Sequence, residues 1–281
     1  MKPFLAIDIT NNKKNEEFNG EEFVVARPSS AMDKALENAS DDAIYVINKS
    51  RLPLVFRIIE IVSAIAGTGI TLGILRTWTD EEASFAEMYK NIPWLFWVAG
   101  ALIIVAVILG ILSHKKEKTV MESDEANNVF SDFDQVSDNI FRELKVPSDA
   151  KTVDVLSFNY KLKKDDVVIS EDILTNFEFK IFADSENLYL ASLEEKYGFP
   201  LSSFTKISTV NKRVSIFCWN KETEANKGEY KQYKLMVDKY DCVSFKPYYI
   251  LEFSHNGEEW GIYIPKYELP IFEGLTGLKA E

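Results

Sequence analysis

The chain has 281 residues and a formal net charge of −12 at pH 7, from 44 acidic and 32 basic side chains. This acidic balance, without a basic stripe, disfavours a nucleic-acid-binding protein, which must neutralise phosphate charge. The cysteines, Cys218 and Cys242, and the histidines, His114 and His255, do not favour a zinc site, because His114 adjoins an apolar segment.

Residues 1–50 are predicted to form a short cytoplasmic lead of strands and a helix. Two runs, 4–10 and 21–27, alternate apolar and polar residues as β-strands do. A short helix is predicted at 29–40, where Ser29 or Ser30 can cap the first turn. The lead is too small for its own core. We expect its strands to pack on a larger domain or to stay partly mobile.

Residues 51–114 contain two apolar segments. The second, at 94–113, has no charged side chain and matches the roughly 20 helical residues that cross a hydrocarbon layer of about 30 Å. The first reaches that length only with Arg57 and Glu60 near one interface, where charges are tolerated and can pair three residues apart. We predict a transmembrane hairpin with spans at about 54–75 and 93–113 and an outer loop at 76–92. A functional intramembrane Arg57–Glu60 pair is the alternative for these charges.

Basic residues flank the two spans on the same side. The loop between the spans contains Arg76 and Lys90 but four acidic residues. Short flanks rich in lysine and arginine stay in the cytoplasm. We therefore predict a multi-pass protein of the cell membrane with both termini cytoplasmic, from the positions of Lys49, Arg51, Arg57, Lys115, Lys116 and Lys118.

Small residues recur four apart in both spans, at Gly69 and Gly73 and at Ala106 and Gly110. Helices in lipid associate through such small faces, because their backbones can approach closely. We predict that these residues pack the hairpin. The prediction includes Ser63 and Gly67, which have the same spacing, and a homodimer through these faces is an alternative.

Residues 119–281 are long enough for one domain with a core of its own. The domain begins with an apolar stripe that predicts an amphipathic helix at about 125–145. Short alternating runs follow, and Asn256-Gly257 is the strongest hairpin signal. A short helical element is predicted at the C-terminal end. The fold class is therefore α+β, a membrane hairpin with a mainly antiparallel β-barrel or sandwich.

The stretch at 187–221 resembles the core of bacterial pleckstrin-homology-like (PH-like) domains. In those domains a strand of the form xLYL precedes a PLSxIxxI pattern, which Pro200, Leu201, Ser203, Phe204 and Ile207 match. The resemblance covers about a third of the chain and rests on hydrophobic patterning. The helix at 125–145 and the strand after it are additions, and the closing helix is shorter. The resemblance implies binding to protein or lipid, without catalysis.

No catalytic or cofactor-binding motif occurs, so we expect a non-enzymatic protein without cofactors. Lys206, Lys212 and Arg213 fall in a predicted hairpin and could give weak lipid head-group contacts, although acidic residues lie nearby. We expect the domain to bind a protein partner, through a groove or a strand edge, as a membrane-anchored interaction or regulatory module. The alternative is an accessory subunit of a membrane transport or secretion complex that binds through its helices.

Overall fold

The computed structural model describes residues 1–8, 16–18, 20–81, 89–90, 92–163, 166–217, 228–237 and 242–281. The chain is α+β and divides into two compact units. One unit combines Met1–Asp33 with Asp138–Glu281, and the other is Lys34–Ser137. Residues 82–88 and 91 of the predicted outer loop, together with Cys218, lie outside the described residues.

The described part contains five α-helices. The first is longer than the short helix predicted from the sequence, and the fourth agrees closely with the predicted amphipathic helix. The fifth begins with a proline in its first turn, where a missing N–H costs nothing. The helices are α1 Ser30–Ser50, α2 Leu54–Glu81, α3 Pro93–Met121, α4 Asp124–Glu143 and α5 Leu269–Thr276.

Two of these helices, α2 and α3, are long and apolar enough to cross a membrane. The segments that meet this criterion are Leu54–Arg76 and Pro93–Met121, with mean hydropathies of 2.0 and 2.9. The helical geometry of α3 continues through the basic residues that follow the apolar run and ends at Met121. Length and composition therefore agree with the predicted spans.

The unit formed by Met1–Asp33 and Asp138–Glu281 contains the strands. Their pairing is mostly antiparallel. They are β1 Lys2–Pro3, β2 Ala6–Asp8, β3 Glu16–Phe18, β4 Val24–Ala26, β5 Lys151–Lys163, β6 Asp166–Ala183, β7 Asn187–Ala191, β8 Lys196–Pro200, β9 Phe204–Val210, β10 Val214–Phe217, β11 Met236–Val237, β12 Cys242–Phe245, β13 Tyr248–His255 and β14 Glu258–Pro265.

One sheet of eleven strands has the main order β4-β8-β7-β6-β5-β14-β13-β9. The N-terminal lead contributes to it, because β1 pairs in parallel with β14 and β2 pairs in parallel with β5. A second sheet has the order β10-β12-β11. The strands of the lead thus belong to the same sheet as those of the C-terminal part.

The hairpin predicted at Asn256-Gly257 is confirmed. It joins β13 to β14, and both turn residues have positive φ, 50° and 80°, as the favoured two-residue turn requires. The hairpin predicted around Lys212 is wrong. Although only three residues separate β9 from β10, β9 pairs with β13 and β10 pairs with β12. The connection therefore passes from one sheet to the other.

The main core is rich in aromatic side chains and includes residues of the N-terminal lead. The Phe4 side chain is fully buried, and its ring lies 4.9 Å from Tyr197 and 5.1 Å from Phe199, centroid to centroid, in edge-on geometry. Phe23 packs edge-on against Trp260 at 5.0 Å. Residues 119–281 alone would therefore lack part of the core that they surround.

Candidate functional site

The outer edge of β9 forms a short parallel backbone contact with residues 280 and 281. The backbone N–H of Glu281 donates to the carbonyl oxygen of Ile207 at 2.9 Å, and the N–H of Thr209 donates to the carbonyl oxygen of Glu281 at 3.1 Å. Ala280 forms a parallel bridge with Ile207. The opposite side of β9 pairs with β13, so the tail segment, residues 278–281, lies along the outer edge of the sheet.

The turn after α5 directs the tail segment onto β9. Gly277 ends the helix at a φ of 72°, which glycine adopts at little steric cost. Its N–H donates to the carbonyl oxygen of Glu273 at 3.0 Å. Leu278 and Ala280 are partly buried and pack against the main core. The tail segment is therefore held by side-chain burial as well as by backbone hydrogen bonds.

The Glu273 carboxylate, on α5, holds the tail segment in place through two hydrogen bonds. Its Oε1 accepts the backbone N–H of Ala280 at 3.0 Å, and its Oε2 accepts the Lys279 ammonium at 3.0 Å. The Ala280 hydrogen bond, followed by the Lys279 contact, holds the pKa of Glu273 below its ordinary value. The carboxylate thus contributes most when it is ionised.

An edge that accepts one strand can accept another of the same shape. Strand addition gains affinity from main-chain hydrogen bonds and specificity from the pockets for alternate side chains. Here the residues of β9 that bond the tail segment are Ile207 and Thr209. The site, which we call the β9 edge, is suited to an extended segment with a small apolar side chain at the place of Ala280.

The sequence did not single out the β9 edge. Lys206 lies on β9 itself, but its ammonium is 3.6 Å from the Glu252 carboxylate, which also accepts a hydrogen bond from the Ser208 hydroxyl. Lys212 and Arg213 are exposed in the connection between β9 and β10. The Lys206 charge is therefore partly neutralised, and the three predicted lipid contacts do not share one hairpin.

The hairpin of α2 and α3 uses a different small-residue face from Gly69 and Gly73. A Cβ built at Gly67 would lie 3.0 Å from Ile103 Cγ1, whereas nothing lies within 4 Å of a Cβ built at Gly69 or Gly73. At Gly110 the nearest atom would be Glu60 Oε1, at 3.5 Å. Gly67 is thus the point of close approach between the helices.

The predicted small face of α3 is only partly in contact. Ala106 and Gly110 are half-buried, whereas Ala99, one turn closer to the helix start than Ile103, is buried. On α2 the buried small residue is Ser63, four residues before the close approach at Gly67. Ser63 and Gly67, which have the same four-residue spacing as Gly69 and Gly73, thus lie on the buried face of α2.

Two buried carboxylates connect α5 to β5. The Asp154 carboxylate accepts the Tyr267 hydroxyl at 2.8 Å and the Asn176 amide at 2.9 Å. Glu268 Oε1 accepts the backbone N–H of Asp154 at 3.2 Å. These bonds satisfy buried polar groups and position the start of α5. Their arrangement is that of a structural network.

Within the described residues, no group of three or more histidine, cysteine, aspartate or glutamate side chains is placed to hold a metal ion. No family model matches the chain, and neither does any curated protein or any solved structure. The resemblance to PH-like domains therefore stays a prediction from the sequence pattern.

Proposed function

We propose that this protein is a membrane-anchored, non-enzymatic interaction module whose β domain, PH-like in its sequence pattern, captures an extended protein segment at the cytoplasmic face. The helices α2 and α3 serve as the anchor. The capture site is the β9 edge. The observation that carries the proposal is the hydrogen bond from Glu281 N–H to Ile207 O at 2.9 Å, because strand addition uses main-chain bonds of this kind.

The tail segment acts as a resident occupant in this proposal. A segment tethered to its own site has an effective concentration in the millimolar range when the linker is short. Only three residues separate α5 from Ala280. A partner segment must therefore outcompete the tail segment, and weakening the tail should expose the site.

A proline substitution tests the backbone hydrogen bond between Glu281 and Ile207 alone. Glu281→Pro removes the N–H that donates to Ile207, whereas Glu281→Ala keeps it and serves as the matched control. The probe is a fluorescent peptide of sequence Gly-Leu-Lys-Ala-Glu, which reproduces residues 277–281. We expect the full-length Glu281→Pro protein in detergent to bind it at least about tenfold more tightly than the control does, because the tethered competitor is weakened.

A second peptide tests whether binding uses the same hydrogen bond. N-methylation of its final glutamate residue removes the equivalent N–H donor, so binding to the Glu281→Pro protein should weaken by about tenfold, corresponding to one buried hydrogen bond. Equal binding of both peptides, or no difference between the two protein variants, would exclude the β9 edge as the capture site.

The alternative function, an accessory subunit that binds through its helices, is favoured by one observation. Gly69 and Gly73 have nothing within 4 Å of a built Cβ, and such small-residue steps allow close helix approach. Replacing both with leucine should abolish association with a membrane partner under this alternative. Under the preferred function it should leave peptide capture at the β9 edge unchanged.

A further inference from the structure

A polar pocket of about 260 Å³ lies within the unit Lys34–Ser137, at the end of the hairpin where α2 begins. The end of α1, the start of α2 and the later part of α3 all contribute to its lining. Four lining residues matter for its chemistry: Arg51, Arg57, Ser113 and Glu117. We call this the hairpin-base pocket.

The hairpin-base pocket lies level with the end of the apolar segments. Arg51 precedes α2, Arg57 follows its first residues, and Ser113 closes the charge-free run of α3. Lys116 Nζ donates to the carbonyl oxygen of Arg51 at 2.7 Å, which fixes the backbone between α1 and α2 beside α3. If α2 and α3 cross a bilayer, this level is that of the lipid phosphates.

The charges of the pocket favour an anion. Two arginines line it, against one glutamate, Glu117, and the Lys116 ammonium binds the carbonyl oxygen of Arg51. No ion pair of Arg51 or Arg57 is formed among the described residues. A second carboxylate near this end of the hairpin is Glu60, whose Oε1 lies 3.5 Å from a Cβ built at Gly110. Guanidinium groups bind phosphate through two parallel hydrogen bonds.

The volume of the pocket and the apolar surfaces beside it further restrict the chemical class of the ligand. The volume is slightly below the roughly 300 Å³ at which pockets for drug-sized molecules begin, so it suits a compact head group. Beside it, α2 and α3 expose apolar side chains, among them Leu54, Val55 and Leu112. These surfaces can accommodate acyl chains while the head group occupies the pocket.

We propose that the hairpin-base pocket binds the phosphodiester of an anionic glycerophospholipid, with Arg51 and Arg57 holding the phosphate. This inference rests on the membrane anchoring in the proposed function but not on peptide capture at the β9 edge. The ligand is a lipid of the leaflet that surrounds the pocket. It differs from the predicted contact at Lys206, Lys212 and Arg213, which lie in the other unit.

The test is native mass spectrometry of the full-length protein in a neutral detergent, titrated with phosphatidylglycerol or with phosphatidylcholine. The wild-type protein should retain phosphatidylglycerol at least about tenfold more tightly, since charge-assisted bonds to phosphate and the net positive lining favour it. Arg51→Gln with Arg57→Gln should remove most of that preference. Lys115→Gln with Lys118→Gln removes the same charge outside the lining and should preserve it.

Three results would overturn the proposal. One is an equal loss of preference in both double variants, which would indicate general electrostatic attraction. Another is full displacement of the lipid by millimolar inorganic phosphate, which would indicate a site for free phosphate. The third is retention of the full preference by the arginine double variant.

A conservative variant distinguishes a loss of lipid binding from a loss of folding. Arg57→Lys keeps the charge but loses the two-point contact, so it should weaken phosphatidylglycerol binding while leaving the melting temperature unchanged. Unchanged binding would contradict the proposal. Failure of the protein to integrate into liposomes would instead refute the anchoring in the proposed function, whereas integration without lipid preference would refute the pocket alone.

Discussion

The backbone N–H of Glu281 donates to the carbonyl oxygen of Ile207 at an N···O distance of 2.9 Å, so the tail segment is bonded to the edge of the sheet. The contact is parallel, and Thr209 returns a second hydrogen bond to the Glu281 carbonyl. Two such backbone bonds contribute on the order of 1–3 kcal/mol together. That is small enough for a competing segment to displace.

Acid should loosen the tail segment. The Ala280 N–H and then the Lys279 ammonium lower the pKa of Glu273 from its ordinary value of 4.5. A carboxyl whose pKa is lower in the docked state stabilises that state above pH 4.5, and the contribution is lost as pH falls through the lowered pKa. Amide hydrogen exchange of Ala280 should therefore accelerate, relative to its intrinsic rate, as pH falls from 5 to 3.

The control for this experiment is Glu273→Gln, which keeps an acceptor for Ala280 but cannot titrate. Its protection of Ala280 should be weaker and independent of pH over the same range, because the charge-assisted component is lost. A pH-dependent loss of the same size in Glu273→Gln would mean that another group controls docking of the tail segment.

Truncating Phe4 should strongly destabilise the β domain. Its ring is fully buried among Phe23, Phe179, Tyr197 and Phe199, and removal of a buried phenyl group costs about 3–5 kcal/mol. Thermal melts monitored by tryptophan fluorescence of the full-length protein should shift strongly for Phe4→Ala. Met236→Ala, at an exposed side chain, should leave the melt nearly unchanged; equal melts of the two variants would exclude the lead from the core.

Two glycine substitutions should have opposite effects on stability. A Cβ at Gly261 would lie 2.7 Å from Ile250 Cγ2, and overpacking of this kind costs about 1–3 kcal/mol. Gly274 is in the middle of α5 with nothing within 4 Å of a built Cβ, so alanine there should stabilise by about 0.5–1 kcal/mol. Urea unfolding of Gly261→Ala and Gly274→Ala measures the sign of both changes in the free energy of unfolding. A stabilised Gly261→Ala protein would contradict the close packing of Gly261 against Ile250.

The proposed topology is tested by labelling. In a background without Cys218 and Cys242, a cysteine placed at Ser84 should react with a membrane-impermeant maleimide in intact cells. A cysteine at the exposed Lys212 should react only after lysis, because basic flanks keep that side cytoplasmic. Reversed labelling would invert the orientation, and labelling of both in intact cells would argue against the hairpin.

Local signals in the sequence predicted local structure well. Asn256-Gly257 specified its hairpin because both residues tolerate positive φ. The apolar stripe of α4 predicted the bounds of that helix to within about two residues. The connection at Lys212 could not be resolved in this way, since whether two adjacent strands pair depends on β13 and β12, which come later in the chain.

Contacts between distant segments were outside the reach of the sequence pattern. Phe4 enters a core made by residues nearly two hundred positions away, and four-residue spacing alone could not distinguish Gly67 from Gly69 as the point of helix approach. The tail segment is shorter than any recognisable strand pattern, because residues 278–281 offer only two alternations. The β9 edge was therefore identifiable only from the fold.

The most direct test of the central claim is hydrogen exchange at the Thr209 amide, which donates to Glu281 in the docked state. In the Glu281→Pro protein this amide should exchange rapidly, and saturating Gly-Leu-Lys-Ala-Glu peptide should slow it again. The Ser208 amide, on the β13 side of the strand, should stay protected throughout. Binding of the peptide without renewed protection of Thr209 would contradict strand addition at the β9 edge.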